Sequence, residues 1–187
     1  MTAWGLEKFN LNRPAHGTAQ TTNSNDPVNK CFPPGVPRVY LQPYPMEIVQ
    51  LPTKMLQIFE YDHTLRYIFT DGRQHPKDPN PSYMGDSIGH WEGDTLVVDV
   101  VAFNDRTWID RVGHPHSSDL HVVERFRRVD HETLQDDITI EDPKAYPRPW
   151  TGQKTFKLKP WEIVENSCAD NVFFDEFQKK SIAEPGK

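Results

Sequence analysis

Cysteine is scarce. The chain of 187 residues has only Cys31 and Cys168, too few for a cysteine-stapled scaffold and spaced for neither a C-x-x-C redox motif nor a zinc ribbon. Long apolar runs are also missing; none approaches the ~20 residues that a membrane-spanning helix needs. Excess positive charge is absent, since the formal net charge is −6. The one dense basic cluster, Arg125, Arg127 and Arg128, is flanked by Glu124 and Asp130, so no basic face for nucleic acid is expected. No G-x-S-x-G, P-loop or dinucleotide-binding glycine pattern occurs, which removes the common signatures of nucleophile-elbow hydrolases and nucleotide enzymes. Helical crossovers between the strand-like runs are lacking too, which disfavours a parallel α/β sheet.

What remains is a β protein rich in aromatics, 21 of them, enough to build one core despite a hydrophobic content of 36%. Residues 1–35 read as an amino-terminal arm. In it TAWGLEKF suits a short helix, and the proline-rich CFPPGVPR suits an extended path along the surface. From Val39 onward, short apolar runs alternate with turn signals: MEIVQL, KMLQIFEYD, TLRYIFTD, SIGHWEG, TLVVDVVAF, LHVVERFRRV, TLQDDITIED, and a last pair QKTFKLK and EIVENSC. The pattern predicts an all-β fold over residues 36–168. A single antiparallel β-barrel of lipocalin-like or calycin-like shape is favoured, with a two-sheet sandwich or jelly roll as the alternative. Residues 169–187 read as a tail with a helical turn around NVFFDEFQKK.

Between Phe103 and Leu120 the run NDRTWIDRVGHPHSSD is far longer than the two to five residues a hairpin needs. Loops of this length and chemistry commonly carry function. His114 and His116 flank Pro115 and are candidate ligands for a divalent transition metal such as zinc, manganese or iron. Glu124, His63, His75, His90 or His121 would complete the set. The structural alternative is that H-P-H stiffens the loop. Trp108 is a candidate for lining a pocket, whereas Trp91 on its strand is expected in the core.

Strand alternation places three acids beside aliphatic residues: Glu60 with Leu56 and Ile58, Asp99 with Val97 and Val101, and Glu124 with Leu120, Val122 and Phe126. A buried carboxylate needs a cation, hydrogen bonds or a raised pKa, and Arg66 and Arg125 are the candidate partners. Three such acids predict a polar cavity. The site expected from residues alone therefore comprises Glu60, Asp99, Glu124, His114 and His116 as acid–base groups. Arg66, His75, Trp108 and Arg125 are its substrate contacts. This points to a small-molecule enzyme of lyase, isomerase or hydrolase type, metal-assisted if His114 and His116 bind an ion. The alternative is a lipocalin-like binding protein without turnover. A small-molecule ligand or substrate is the expected partner, and homo-oligomer formation is left open by the sequence.

The runs DPVNKCFPPGVPR, YDHTLRYIFTDGRQHPKDP, GDSIGHWEGDTLVVDVVAFNDRTWIDRVGHPHS and VVERFRR resemble a large, mostly uncharacterised family of bacterial proteins of acidobacterial type. The resemblance spans about residues 26–168. Members of that family often carry an export signal. Met1 instead opens a polar segment without the signal pattern, so the chain is expected to be a trimmed, mature form, periplasmic or secreted in its native setting. Cys31 and Cys168 fall where the family carries cysteines. The resemblance thereby favours a disulfide over two separate buried thiols, and it implies no catalytic residues.

Overall fold

The computed structural model describes residues 1–12 and 24–168; the helical turn expected around NVFFDEFQKK lies outside them. The fold is all-β. Eight strands form one curled sheet, a half-barrel, in sequence order: β1 (Met46–Leu51), β2 (Lys54–Phe59), β3 (Leu65–Phe69), β4 (Asp86–Glu92), β5 (Thr95–Val101), β6 (His121–Asp130), β7 (Thr133–Glu141) and β8 (Trp150–Lys157). Hairpin neighbours pair antiparallel, as short turns between alternating runs require. The exception is β3 with β4, a parallel ladder of two residue pairs, Ile68↔Ser87 and Phe69↔Ile88. The barrel is thus open, with β1 and β8 as its edges.

Period-two alternation sets the inner face. Met55, Gln57 and Phe59 of β2, Arg66 and Ile68 of β3, and Leu96, Val98 and Val100 of β5 are buried there. Val122, Glu124 and Phe126 of β6 and Asp136, Ile138 and Ile140 of β7 complete the face. An open half-barrel needs a cover, and the segments flanking the strands supply it. Residues 34–40 are buried throughout, and Val36, Val39 and Tyr40 join Phe103, Ile109, Leu120 and Ala145 in the single core cluster. This overturns the expected surface path for CFPPGVPR: its three prolines remove amide donors, which makes the segment suited to crossing an apolar face with few unmet hydrogen bonds. The helix α1 (Ala3–Leu11), capped by Thr2, docks against Lys144 and Ala145 and, at its far end, against His114. Gly5 lies so close to Ala145 that a Cβ would sit 2.3 Å from the Ala145 carbonyl oxygen.

Two further expectations fail. EIVENSC is not a strand; residues 161–167 are irregular, and among the described residues β8 pairs only with β7. The segment is instead pinned to the turn after β2. Glu60 Oε2 accepts from Val164 N, Asn166 Oδ1 accepts from Asp62 N, and Asp62 Oδ1 accepts from Cys168 N. The Cys31–Cys168 disulfide locks it there, closing 137 residues of chain. Trp91, expected in the core, is half exposed (49%) because it stands near the outer end of the β4–β5 hairpin.

Candidate functional site

The acids expected to share one cavity are separated by the sheet. Glu124 alone faces inward and is fully buried. Arg66 meets it through Nη1 at 3.0 Å and Nη2 at 2.5 Å, a two-pronged pair. Arg66 also donates to Ser87 Oγ, Gln57 Oε1 and the Tyr40 hydroxyl, so every guanidinium nitrogen is engaged. Burial, the largest single effect, works to lower the Arg66 pKa, but the charge and hydrogen bond of Glu124 together with Tyr40 and Asp136 outweigh it and hold the guanidinium charged. Asp136 completes the group. Burial, reinforced by the Glu124 charge, pushes its carboxyl up to about 8, so at neutral pH it is largely the neutral acid. Tyr40 Oη reaches Gln57 at 2.7 Å, and burial raises its pKa well above the phenol value. This cluster is buried, and among its side-chain atoms Gln57 Nε2 and Asp136 Oδ2 have no hydrogen-bond partner. Its chemistry is that of a core network centred on the Arg66–Glu124 pair, which ties together five strands, β2, β3, β4, β6 and β7, and the covering segment through Tyr40.

Glu60 is not on a strand. It caps the turn Tyr61–His63 after β2, with its carboxylate on Val164. Arg125 lies on the outer face, exposed, and pairs with Glu92 at 2.5 Å. Trp108 is buried beneath Arg38, whose guanidinium lies 5.6 Å from the ring centroid and is itself paired with buried Asp26.

The oversized loop, residues 104–119, is a hydrogen-bonded plug. Asp110 Oδ1 accepts from the backbone N–H groups of Val112, Gly113 and His114, while Oδ2 takes the His114 Nδ1 proton at 2.6 Å. The His114 ring packs on Phe9. His116 is buried; it donates from Nδ1 to the Ser117 carbonyl, and its Nε2 accepts from Thr107 Oγ1 at 2.6 Å. Burial lowers its pKa, which suits that neutral tautomer. His114 and His116 therefore serve different partners and do not converge on an ion. Among the described residues no group of three or more His, Cys, Asp and Glu side chains stands ready-arranged to hold a metal. The stiffening role of H-P-H is the one the geometry supports.

Imidazoles and carboxylates do meet on the opposite, outer face. Asp99 of β5 points outward with Val97 and Val101. Its Oδ1 lies 2.9 Å from His75 Nε2 and its Oδ2 lies 2.7 Å from His121 Nε2. Each imidazole has a second carboxylate behind it: Asp86 at 2.5 Å from His75 Nδ1, and Glu141 at 3.7 Å from His121 Nδ1. The register explains the convergence. Ile88 pairs with Asp99, Asp99 with Val123, and His121 with Glu141, so Asp86, Asp99, His121 and Glu141 sit on adjacent strands at one end of the sheet. The loop from Thr70 to Gly85 brings His75 over them. Gly85, at φ +71, permits the return; a Cβ there would lie 2.8 Å from the Val101 carbonyl. All five side chains are partly exposed, between 23% and 54%, so solutes reach them.

Asp86 also contributes to the wall of a cleft of about 540 Å³. It opens where the two-pair β3–β4 ladder ends and β3 parts from residues 82–87. Tyr67, Phe69, Tyr83 and Met84 line it, with Arg66 and Ser87 deeper.

Of the residues singled out from sequence, the structure brings together Asp99 and His75, and separately Glu124 and Arg66. It disperses Glu60, Arg125, Trp108, His114 and His116. Alternation in TLQDDITI carried the signal for Asp136, which shares a face with Leu134, Ile138 and Ile140. Nothing local in the sequence paired Asp86 with His75 or Glu141 with His121. Comparison with protein-family models, curated proteins and solved structures found no match for this chain.

Proposed function

We propose that this protein is a small-molecule enzyme working by general acid–base chemistry, and that its apparatus is the chain Asp86–His75–Asp99–His121–Glu141. One observation carries this reading: two partly exposed imidazoles share one carboxylate, with Asp86 hydrogen-bonded to the far nitrogen of His75 and Glu141 3.7 Å from that of His121. An imidazole with a carboxylate on its far nitrogen is held in one orientation, as an acid–base group needs. One ring can then take a proton from a bound molecule while the other delivers one. Lyase, isomerase and hydrolase reactions of a small polar molecule all fit that arrangement. The cleft beside Asp86 is where such a molecule would bind, with Tyr67, Phe69 and Tyr83 as its apolar contacts.

A second reading, a carrier without turnover, draws on the same cleft, whose aromatic lining suits reversible binding. The disulfide supports an oxidising, exported setting, in keeping with the resemblance to exported bacterial proteins. Incubating the protein with small-molecule extracts and following them by mass spectrometry separates the two. Compounds consumed by the wild type and spared by His75→Ala support the enzyme. Compounds retained unchanged on the protein support the carrier.

A further inference from the structure

We propose that the end of the half-barrel away from the acid–base cluster carries a second site, a shallow hollow built on Trp91 that binds saccharide. The hairpin turns after β1, β4 and β6, at residues 52–53, 93–94 and 131–132, all fall at that end of the sheet. Register shows which side chains point into the half-barrel there. Trp91 pairs with buried Leu96, Gln50 with buried Met55, and Arg128 with Leu134, so all three stand on the inner face.

Farther along the same strands core side chains fill the inner face. At this end they do not. Trp91 remains 49% exposed and borders a hollow of about 690 Å³, which reaches from Gln50 on the edge strand β1 to Arg128, Asp130 and His131 at the β6–β7 turn. An inward-facing indole that borders a hollow of this size is placed to meet a ligand. Gly93, where a Cβ would meet nothing within 4 Å, helps to keep the space open.

The polar groups around the indole select the ligand. Gln50, Arg128 and His131 offer donors, while Asp94, Asp130 and the Gln50 amide oxygen offer acceptors. Arg128 donates from one nitrogen to the His131 carbonyl. The arginine ion pairs among the described residues are those of Arg38, Arg66, Arg73 and Arg125, so the other N–H groups of Arg128 face no carboxylate there. Asp130 is oriented by the Glu132 N–H at 2.8 Å. Two acids beside one arginine disfavour an anionic ligand, and so polar a rim disfavours a lipid chain. A pyranose meets both conditions. Its C–H face stacks on an indole, and its neighbouring hydroxyls each donate and accept, which suits carboxylate, amide and guanidinium partners. The hollow is broad and open to solvent, so it admits a stretch of a longer glycan as well as a single ring.

The test titrates the full chain with maltotriose, cellotriose, xylotriose and chitotriose by calorimetry, with tryptophan fluorescence as a second readout. At least one of them should bind once per chain with a Kd of about 1 mM or tighter. Trp91→Ala removes the stacking face and should weaken binding about 10-fold or more. Arg128→Ala should weaken it by about 10-fold, and Trp91→Phe, which keeps a ring, should weaken it less than Trp91→Ala. Trp161→Ala, at a more exposed tryptophan elsewhere (68%), and His75→Ala in the acid–base cluster should leave it unchanged. Thermal melts confirm folding, and if Trp91→Ala melts early, Arg128→Ala and Trp91→Phe decide. Failure of all four sugars to bind overturns the inference, as does binding that survives both Trp91→Ala and Arg128→Ala. Binding lost in His75→Ala but kept in Trp91→Ala also overturns it, because the sugar would then belong to the outer-face cluster.

Discussion

Replacing Glu124 by Gln keeps the side chain's shape and removes its charge, leaving the Arg66 guanidinium buried without its main counter-ion. Both side chains are essentially inaccessible, at 1% and 0%, so water cannot substitute. Breaking one partner of such a pair costs about 3–5 kcal/mol, a large share of the roughly 5–15 kcal/mol that holds a domain together. Asp136 softens the loss. Its carboxyl is kept neutral first by burial and then by Glu124; with Glu124 gone it can ionise toward Arg66, which places Glu124→Gln near the lower end of that range. Adding Asp136→Asn removes this fallback and should bring the cost toward 5 kcal/mol. Urea denaturation followed by tryptophan fluorescence at pH 7 measures both. At about 2–4 °C per kcal/mol for a chain of this size, the single change should lower the melting temperature by roughly 6–12 °C. A Glu124→Gln protein that melts within about 2 °C of the wild type but loses a measured activity would refute the reasoning and return Glu124 to catalysis.

The Asp136 carboxyl gives a pH signature. Its folded pKa, about 8, is above the unfolded value near 3.9, so unfolding releases its proton across that interval. Its contribution is most favourable below about pH 4 and is lost as pH rises toward 8. Asp136→Asn should therefore gain stability relative to wild type between pH 4.5 and pH 8 in urea titrations; a pH-independent difference would remove the assignment. The disulfide closes a separation of 137 residues, for which chain entropy gives an upper figure of about 5 kcal/mol. Cys31→Ser/Cys168→Ser should cost at least about 2 kcal/mol, read as a lower melting temperature that reductant no longer changes. Equal melting of the wild type with and without reductant would show that the bond contributes nothing.

The strands and the all-β class were legible because period-two alternation and hairpin turns are local signals. The same alternation correctly set Glu124 among inward aliphatics and Asp99 beside Val97 and Val101. It could not say which of these faces was the inside, and Asp99 proved to be on the outer one. The surface path expected for CFPPGVPR failed because proline content announces an extended path, not what that path covers. The two-pair parallel step between β3 and β4 was also invisible, since it depends on how residues 70–85 fold back. His114 and His116 drew attention by spacing along the chain. The outer-face cluster is assembled from residues 75, 86, 99, 121 and 141, which only the register of four strands and one loop brings together.

The central claim is that chemistry resides on the outer face at His75, Asp99 and His121 and not in the histidine-bearing loop. The most direct measurement compares wild type, Asp99→Asn, His121→Ala and His114→Ala for conversion of small molecules from a bacterial extract, quantified by mass spectrometry. Loss of conversion of about 100-fold or more in Asp99→Asn and His121→Ala, with His114→Ala near wild type, is the predicted result. Conversion that survives Asp99→Asn and His121→Ala but disappears in His114→Ala would contradict it.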